Sequence, residues 1–505
     1  MTTLSFKNWQ EWAPSCARLP AHAVRTAVPP PPENTPPPAG DSPILWLDSA
    51  REGRYSLYVA EAWSCLRGYP GGLEITPLTG SAAPQRSRGN PFLQLREWAA
   101  AHRGPVLPAD LPPPNGGLFG LLSYDLARLF ETLPVHAPED PGTPLFTLLD
   151  ARSVLVYDHQ KQDLHSFVWS PSHGQVPRAE DFAAAREAAE KALDGAHPWN
   201  PAKQPTLSPF SPSPTGEHSP RWSFREPDFC QAVRRIQEWI ASGNTYQVNL
   251  SLRQSRPLRV PPEAIYSHLR RINPSPYMGF FRVPETTLVC GSPELLLKRR
   301  GDHLETRPIA GTRPRGRQGP GSDENLAREL VQNPKERAEH LMLVDLLRND
   351  LGRVCRYGTV RVPEFMTVEK YSHVQHIVSL VEGTLAPGSD SFDALAAVFP
   401  GGTITGAPKV RTMEIIETLE PVRRGPYTGS LGWIHASGQD MEWNIIIRTL
   451  WTSENWAHVQ SGAGIVADSD PAREYQESLQ KAQALWQAVE ETEARFPLAP
   501  KPPVP

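Results

Sequence analysis

Residues 228–252 read DFCQAVRRIQEWIASGNTYQVNLSL, and the change of period inside this stretch decides the fold class. Phe229, Val233, Ile236 and Ile240 recur at three- and four-residue intervals, as on one apolar helix face. Asp228 precedes them as a candidate N-cap, and Gly243 follows as a stop. The run Thr245–Leu252 is then expected to be a strand.

Downstream the alternation continues. Asn333-Pro334 and Asp470-Pro471 each place an N-cap residue before a proline at the first helical position, and Val410–Leu419 is a further helical run. Helices interleaved with short strands over one large unit predict an α+β fold, antiparallel sheets flanked by helices. Upstream, the strand-like runs Pro43–Ala50, Arg54–Ala60 and Ser153–Asp158, with an Ala-rich helix over Arg178–Asp194, predict a separate N-terminal α/β lobe.

Proline marks the expected boundaries. Of the 56 prolines in 505 residues, one cluster lies at Pro29–Pro38 and another within 197–220, HPWNPAKQPTLSPFSPSPTGEHSP. Such segments are too stiff and too poor in apolar side chains to pack well. The division expected is a Pro-rich arm over 1–40, a lobe over 41–196, a linker over 197–220, a main unit over 221–495 and a Pro-rich tail over 496–505.

Composition excludes several function classes. A formal net charge of -4 offers no basic face for nucleic acid. Cys16, Cys65, Cys230, Cys290 and Cys355 are scattered without metal-ligand spacing, and an odd number makes no simple disulfide framework. Reduced thiols in a cytoplasmic protein are the expectation. Residues 1–18 lack an apolar signal core, and no apolar run reaches the roughly 20 residues of a membrane helix.

The carboxylates are more informative. Glu336 and Glu339 lie three apart on the helix starting at Pro334, on the face that also carries Leu343 and Leu346 or Leu347. Glu474, Glu477 and Lys481 repeat the pattern on the last helix. Two such pairs could hold a hard divalent cation through oxygen. The same spacing also fits ordinary solvated helix faces. Between the two helices lie PGGTITGAPK (400–409), a loop suited to presenting N–H groups to an anion, and the small-residue turn SGAG (461–464). Arg448 falls on the strand-like run Ile445–Leu450, a platform for a bidentate carboxylate contact. A metal, an anion loop and an arginine together suit a small polyanion.

Eight segments in order resemble the chorismate-utilising enzyme family: GNTYQVNLS (243–251), GSPELLL (291–297), TRPIAGTRPRG (306–316), KERAEHLMLVDLLRNDLGRV (335–354), VQHIVS (374–379), FPGGTITGAPKVRTMEIIETLEP (399–421), IIIRTL (445–450) and GAGIVADSDPAREYQESLQKA (462–482). The resemblance implies the large chorismate-binding fold. It also implies that Glu339, Glu474 and Glu477, with Glu336 close by, hold Mg²⁺ against the ring carboxylate of chorismate. Glu294 matches a general acid for loss of the C4 hydroxyl. Arg448 and Tyr427 match contacts to the enolpyruvyl carboxylate, while Gly462, Gly464 and Lys481 match the ring-carboxylate pocket. Thr403 and Gly406 belong to the loop beside the ring, and His376 matches a histidine that assists late proton transfer.

Within the family, water-using members carry a lysine where this chain has Gln247. The wording YQVNLS, DLLRNDLGRV and PGGTITGAPK resembles members that make 4-amino-4-deoxychorismate for p-aminobenzoate and folate. Ala310, where some of those carry a lysine nucleophile, resembles the anthranilate-forming members instead. The resemblance implies ammonia supplied by a separate glutamine amidotransferase, since no cysteine sits in a Gly-rich elbow. It also implies a separate pyridoxal phosphate lyase. WLDSA (46–50) resembles the place where family members can bind tryptophan, and is otherwise a packed strand. A non-catalytic scaffold for the glutaminase is the remote alternative.

Overall fold

The computed structural model describes residues 3–32, 35–49, 53–139, 142–172, 176–195, 219–315, 322–370 and 374–496. Most of the expected 197–220 linker, and the tail beyond Phe496, lie outside them. Helices alternate with strands that pair antiparallel throughout the described residues, as an α+β fold requires.

Two runs of strands grow from one N-terminal root, in which Tyr55–Tyr69 pairs with Ile44–Asp48 and with Phe146–Asp158. The first run continues from Ile44–Asp48 to Tyr277–Val283, Thr286–Ser292, Thr449–Ser453, Trp456–Ile465 and Gln247–Pro257. The second starts where Phe146–Asp158 pairs with Gly117–Leu122. It passes through Ser430–His435, Asp440–Asn444, Leu295–Arg300 and His303–Arg307 to Val374–Thr384. The chain passes from the first run to the second at Pro293-Glu294 and returns over residues 445–448.

The N-terminal strands share a core with the rest. Leu45, Phe119 and Leu149 cluster with Phe281, Leu288 and Trp451. Burial of each such side chain is worth about 1.5–3 kcal/mol, so the two halves stabilise one another. Buried ion pairs cross the same seam, Arg270 with Asp48 among them.

Several local expectations are corrected. Residues 1–40 are not a bare arm: Phe6–Trp12 is helical, and Arg18–Arg25 is a strand paired with Asp163–Pro171. Thr35 is fully buried. The Pro32 carbonyl accepts from the Thr35 amide at 3.0 Å and from Arg270 at 2.9 Å, and the Pro38 carbonyl accepts from Arg282 at 2.8 Å. The helix expected from Asp228 spans Glu226–Ala241, with Arg225 at the N-cap. Pro227 starts it early, and Asp228 sits in its first turn. Gly243, at φ 75°, ends the segment as expected. The strand expected at Thr245–Leu252 runs over Gln247–Pro257, because its register with Trp456–Ile465 is unbroken to Pro257. No helix among the described residues is long and apolar enough to cross a membrane.

Candidate active site

The two crossings between strand runs meet, since the Ile445 N–H donates to the Glu294 carbonyl at 3.0 Å. Glu294 is 5% exposed. Burial pushes its carboxyl up to about 7, with the Thr403 hydroxyl and the Ile309 amide offsetting part of that rise. A carboxyl removed from water without a cation beside it keeps its proton near neutral pH. Thr403 belongs to the single 3₁₀ turn Gly402–Ile404.

At the second crossing Arg448 is not on a strand, as the sequence suggested. The strand starts at Thr449, and Arg448 takes φ 50°, the left-handed turn that moves the chain from one run to the other. Its Nη1 donates to the Lys481 carbonyl at 2.9 Å. Burial lowers its pKa, against the opposing influence of Tyr427 and Glu477. Burial raises the Tyr427 phenol, with Arg424 pulling it down. His376 lies on the same side: its Nδ1 is 3.1 Å from the Gly311 carbonyl, and burial holds its pKa below the usual value, with Arg448 adding to the effect.

The two expected helices carry the carboxylates. Asn333 Oδ1 accepts from the Lys335 and Glu336 amides, starting Pro334–Gly352. Asp470 Oδ1 accepts from the Arg473 amide, starting Pro471–Arg495. Burial raises Glu339 and, less deeply placed, Glu474. Each is raised further by the next carboxylate on its helix, Glu336 or Glu477, and both feel Lys335 and Lys481. The two helices thus face one space.

Three of the four carboxylates already have a nitrogen partner, and the Ser469 hydroxyl lowers the fourth, Glu474. Glu336 pairs with Arg313 at 3.0 Å, Glu477 with Lys481 at 2.8 Å, and Glu339 Oε1 accepts from Gln247 Nε2 at 2.8 Å. Among the described residues no three acidic, histidine or cysteine side chains converge as a metal cluster. The donors nevertheless fit Mg²⁺ in kind: they are hard oxygens, and a cation would relieve the like-charge crowding that raises Glu339 and Glu474. A solvated helix face describes Glu477, with 53% of its side chain exposed, but not the inward-turned Glu339.

Gly462 and Gly464 lie within the strand Trp456–Ile465, not in a turn. A Cβ at Gly464 would overlap Gln247 Nε2, so side chains of the neighbouring strand occupy the room that glycine leaves. Gly406, at φ 129°, lies so close to the Gln247 carbonyl that a Cβ there would collide with it. Lys481 Nζ reaches the Gly462 carbonyl at 3.0 Å. Lys409 bonds Asp350 of the carboxylate helix at 2.5 Å and the Val398 carbonyl at 2.8 Å, which ties the glycine-rich loop to that helix. Electrostatic coupling joins Arg448 with Tyr427, His376 and Glu477, and Lys481 with Glu339 and Glu474, while Glu294 is coupled to Thr403. Asn249 was missed. It is two positions from Gln247, hence on the same strand face, and that alternation was the signal available.

Within WLDSA, Trp46 to Asp48 end the packed strand Ile44–Asp48, and Ala50 lies outside the described residues. Leu47, Asp48 and Ser49 border a cavity of about 590 Å³, which also reaches Pro293, Leu295 and Ile309 around Glu294.

Comparison with known proteins places the chain in a family. Residues 75–487 match the chorismate binding enzyme family. Aminodeoxychorismate synthase component 1 from Bacillus subtilis is 46% identical over 447 residues, 88% of this chain and 92% of the relative. Anthranilate synthase component 1 from Thermus thermophilus is 47% identical over 402 residues, 80% and 82% of the two chains. Among solved structures, anthranilate synthase component I from Streptococcus pneumoniae superposes with a TM-score of 0.73 at 31% identity, covering 86% of this chain and 92% of that one. The menaquinone-specific isochorismate synthase from Escherichia coli shares the fold at a TM-score of 0.68 and 18% identity, covering 96% and 98%. The chain belongs to the chorismate binding enzyme family and is a chorismate-utilising enzyme of the aminodeoxychorismate and anthranilate synthase component I type.

Proposed function

We propose that this chain replaces the C4 hydroxyl of chorismate with an amino group, giving 4-amino-4-deoxychorismate for p-aminobenzoate and folate synthesis. The observation that carries the amination is the pairing of a neutral acid, Glu294, with an amide, Gln247, where a water-using enzyme needs a base. Water attacks poorly without a base in reach, whereas ammonia is a competent nucleophile once delivered. An amide accepts no proton in the working pH range.

Arg448 and Tyr427 would take the enolpyruvyl carboxylate, and Lys481 with the Gly462–Gly464 strand the ring carboxylate. Glu339, Glu474 and Glu477, with Glu336 beside them, would hold Mg²⁺; bound there it supplies positive charge to the ring carboxylate. Glu294 protonates the C4 oxygen as its bond to carbon breaks, and water leaves. The nitrogen lone pair forms the new C–N bond, and the proton shed by the resulting ammonium restores Glu294. Ammonia plus chorismate thus gives the amine plus water.

A glutaminase partner would supply the ammonia. In support, all five cysteines are buried and form no disulfide. Burial raises the thiols of Cys65, Cys230, Cys290 and Cys355, the reverse of what a glutaminase nucleophile needs. A separate pyridoxal phosphate lyase would complete p-aminobenzoate.

Anthranilate formation is the second reading, favoured by Ala310, buried where a lysine nucleophile would stand, and by the relative from Thermus thermophilus. Incubation with chorismate, Mg²⁺ and an ammonium salt separates the two. A product that yields p-aminobenzoate only after a lyase is added supports the first, and fluorescent anthranilate without a lyase overturns it.

A further inference from the structure

Gln247 and Asn249 share one face of their strand, opposite a bare stretch of backbone. Asn249 pairs in register with Gly464, and Ser251 with Gly462. A Cβ at Gly464 would overlap Gln247 Nε2, and one at Gly462 would stand 2.8 Å from Asn249 Oδ1. The glycines clear a floor across which the two amides lie. Gln247, 4% exposed, gives its Nε2 hydrogen to Glu339, which fixes the orientation of its amide and turns Oε1 the other way. Both Gln247 Oε1 and Asn249 Oδ1 are buried without a hydrogen-bond partner among the described residues.

An unpaired buried acceptor is costly, and two on one strand face next to a candidate active site call for a small donor. The backbone beneath them needs no help from these side chains. Arg424 Nη2 donates to the Asn249 carbonyl at 2.7 Å, and Glu420 takes both the amide and the hydroxyl of Ser251.

We propose that the amide oxygens of Gln247 and Asn249 form the seat of the ammonia nucleophile, with Glu339 orienting Gln247 through its Nε2. Ammonia has three N–H donors and one lone pair. Two donors spent on the two oxygens hold the nitrogen while its lone pair stays available for the ring. Asn249 is thus a nucleophile-binding residue, and Glu339 has a positioning role through one oxygen that leaves the other for a cation. The proposal rests on the amination reading but not on which aminated product forms.

The test is steady-state kinetics of the full chain with chorismate, Mg²⁺ and ammonium chloride, following chorismate consumption. Asn249→Val keeps a strand-compatible side chain and removes the acceptor. Its KM for ammonium should rise about tenfold, the order expected for one lost hydrogen bond, while its KM for chorismate stays within about twofold. A KM for ammonium equal to that of the unaltered chain overturns the seat. A second measurement needs no variant. Methylammonium, with N–H donors, should compete with ammonium and not with chorismate, whereas tetramethylammonium, of equal charge and without N–H, should not inhibit. Equal inhibition by both overturns the proposal. Failure of the unaltered chain to turn over chorismate in an ammonium-dependent way would overturn the amination reading, and the seat with it. Ammonium-dependent turnover indifferent to Asn249 would overturn the seat alone.

Discussion

Glu294 and the carboxylates of the two long helices are the same chemical group in two environments. Glu294 lies at a crossing between strand runs, out of water and without a cation, and its carboxyl titrates near 7. Glu336 and Glu477 lie at the rim with Arg313 and Lys481 as partners. Glu339, between these extremes, is raised by burial but holds an amide N–H. Burial without a cation makes a proton donor at neutral pH, whereas partial exposure with exchangeable partners makes an oxygen ligand.

The sharpest way to break this comparison is Glu294→Gln. It keeps the shape and removes the transferable proton, so kcat should fall by roughly 10²–10⁴ with little change in thermal unfolding. A fall below tenfold in steady-state turnover would mean that Glu294 is not the acid. Glu477→Gln comes next. If the rim carboxylates bind Mg²⁺, activity should collapse at low Mg²⁺, and the half-saturating concentration should rise on the order of 10–100-fold. Wild-type Mg²⁺ dependence would remove Glu477 from the ligand set.

The pH dependence is smaller and carries a definite sign. The acid works protonated, so turnover should decline as pH rises through about 7, with roughly a tenfold loss by one pH unit above it. The same group bears on stability. Its folded value lies above the ordinary 4.5, so the stability it contributes is full below 4.5 and is lost as pH rises through 7. Glu294→Gln should flatten unfolding free energy over that window. A pH profile unchanged in the variant would assign the titration to another group. The smallest expected effect is that of Arg313→Gln, which frees Glu336. Stability should change by about 0.2–1 kcal/mol in denaturant unfolding. The Mg²⁺ requirement should fall slightly, because a competitor for the carboxylate is gone.

The rim was legible in the sequence because its signals are local. Asn333-Pro334 and Asp470-Pro471 state where two helices start, and three-residue spacing then puts Glu336 with Glu339 and Glu474 with Glu477. Glu294 was reached only through resemblance. What buries it, and so raises its carboxyl, is the crossing between strand runs, which depends on pairings such as Leu295 with Asn444 that no local pattern encodes. Arg448 misled for the same reason: Ile445–Leu450 reads as a strand, yet the chain has to turn at Arg448 to change runs. Pro29–Pro38 misled in the opposite direction. Its lack of apolar side chains was noted, but the carbonyls of Pro32 and Pro38 suit buried arginines contributed by a distant segment. Gly462 and Gly464 read as a turn because small residues often mark one, whereas here they make room for the amides of the opposite strand.

The strand Ile44–Asp48 also sets a timetable for synthesis. Its outer partner is Tyr277–Val283, and the side chain of Asp48 is matched by Arg270, 222 positions later. At a ribosomal pace of roughly 5–20 residues per second, that is a wait of about 10–45 s. Throughout it, the nascent N-terminal half holds an unpaired strand edge and a buried-to-be carboxylate without its cation. The seam that unites the finished enzyme therefore opens an interval in which the growing chain is exposed to mispairing, and a segment that a chaperone would be expected to cover.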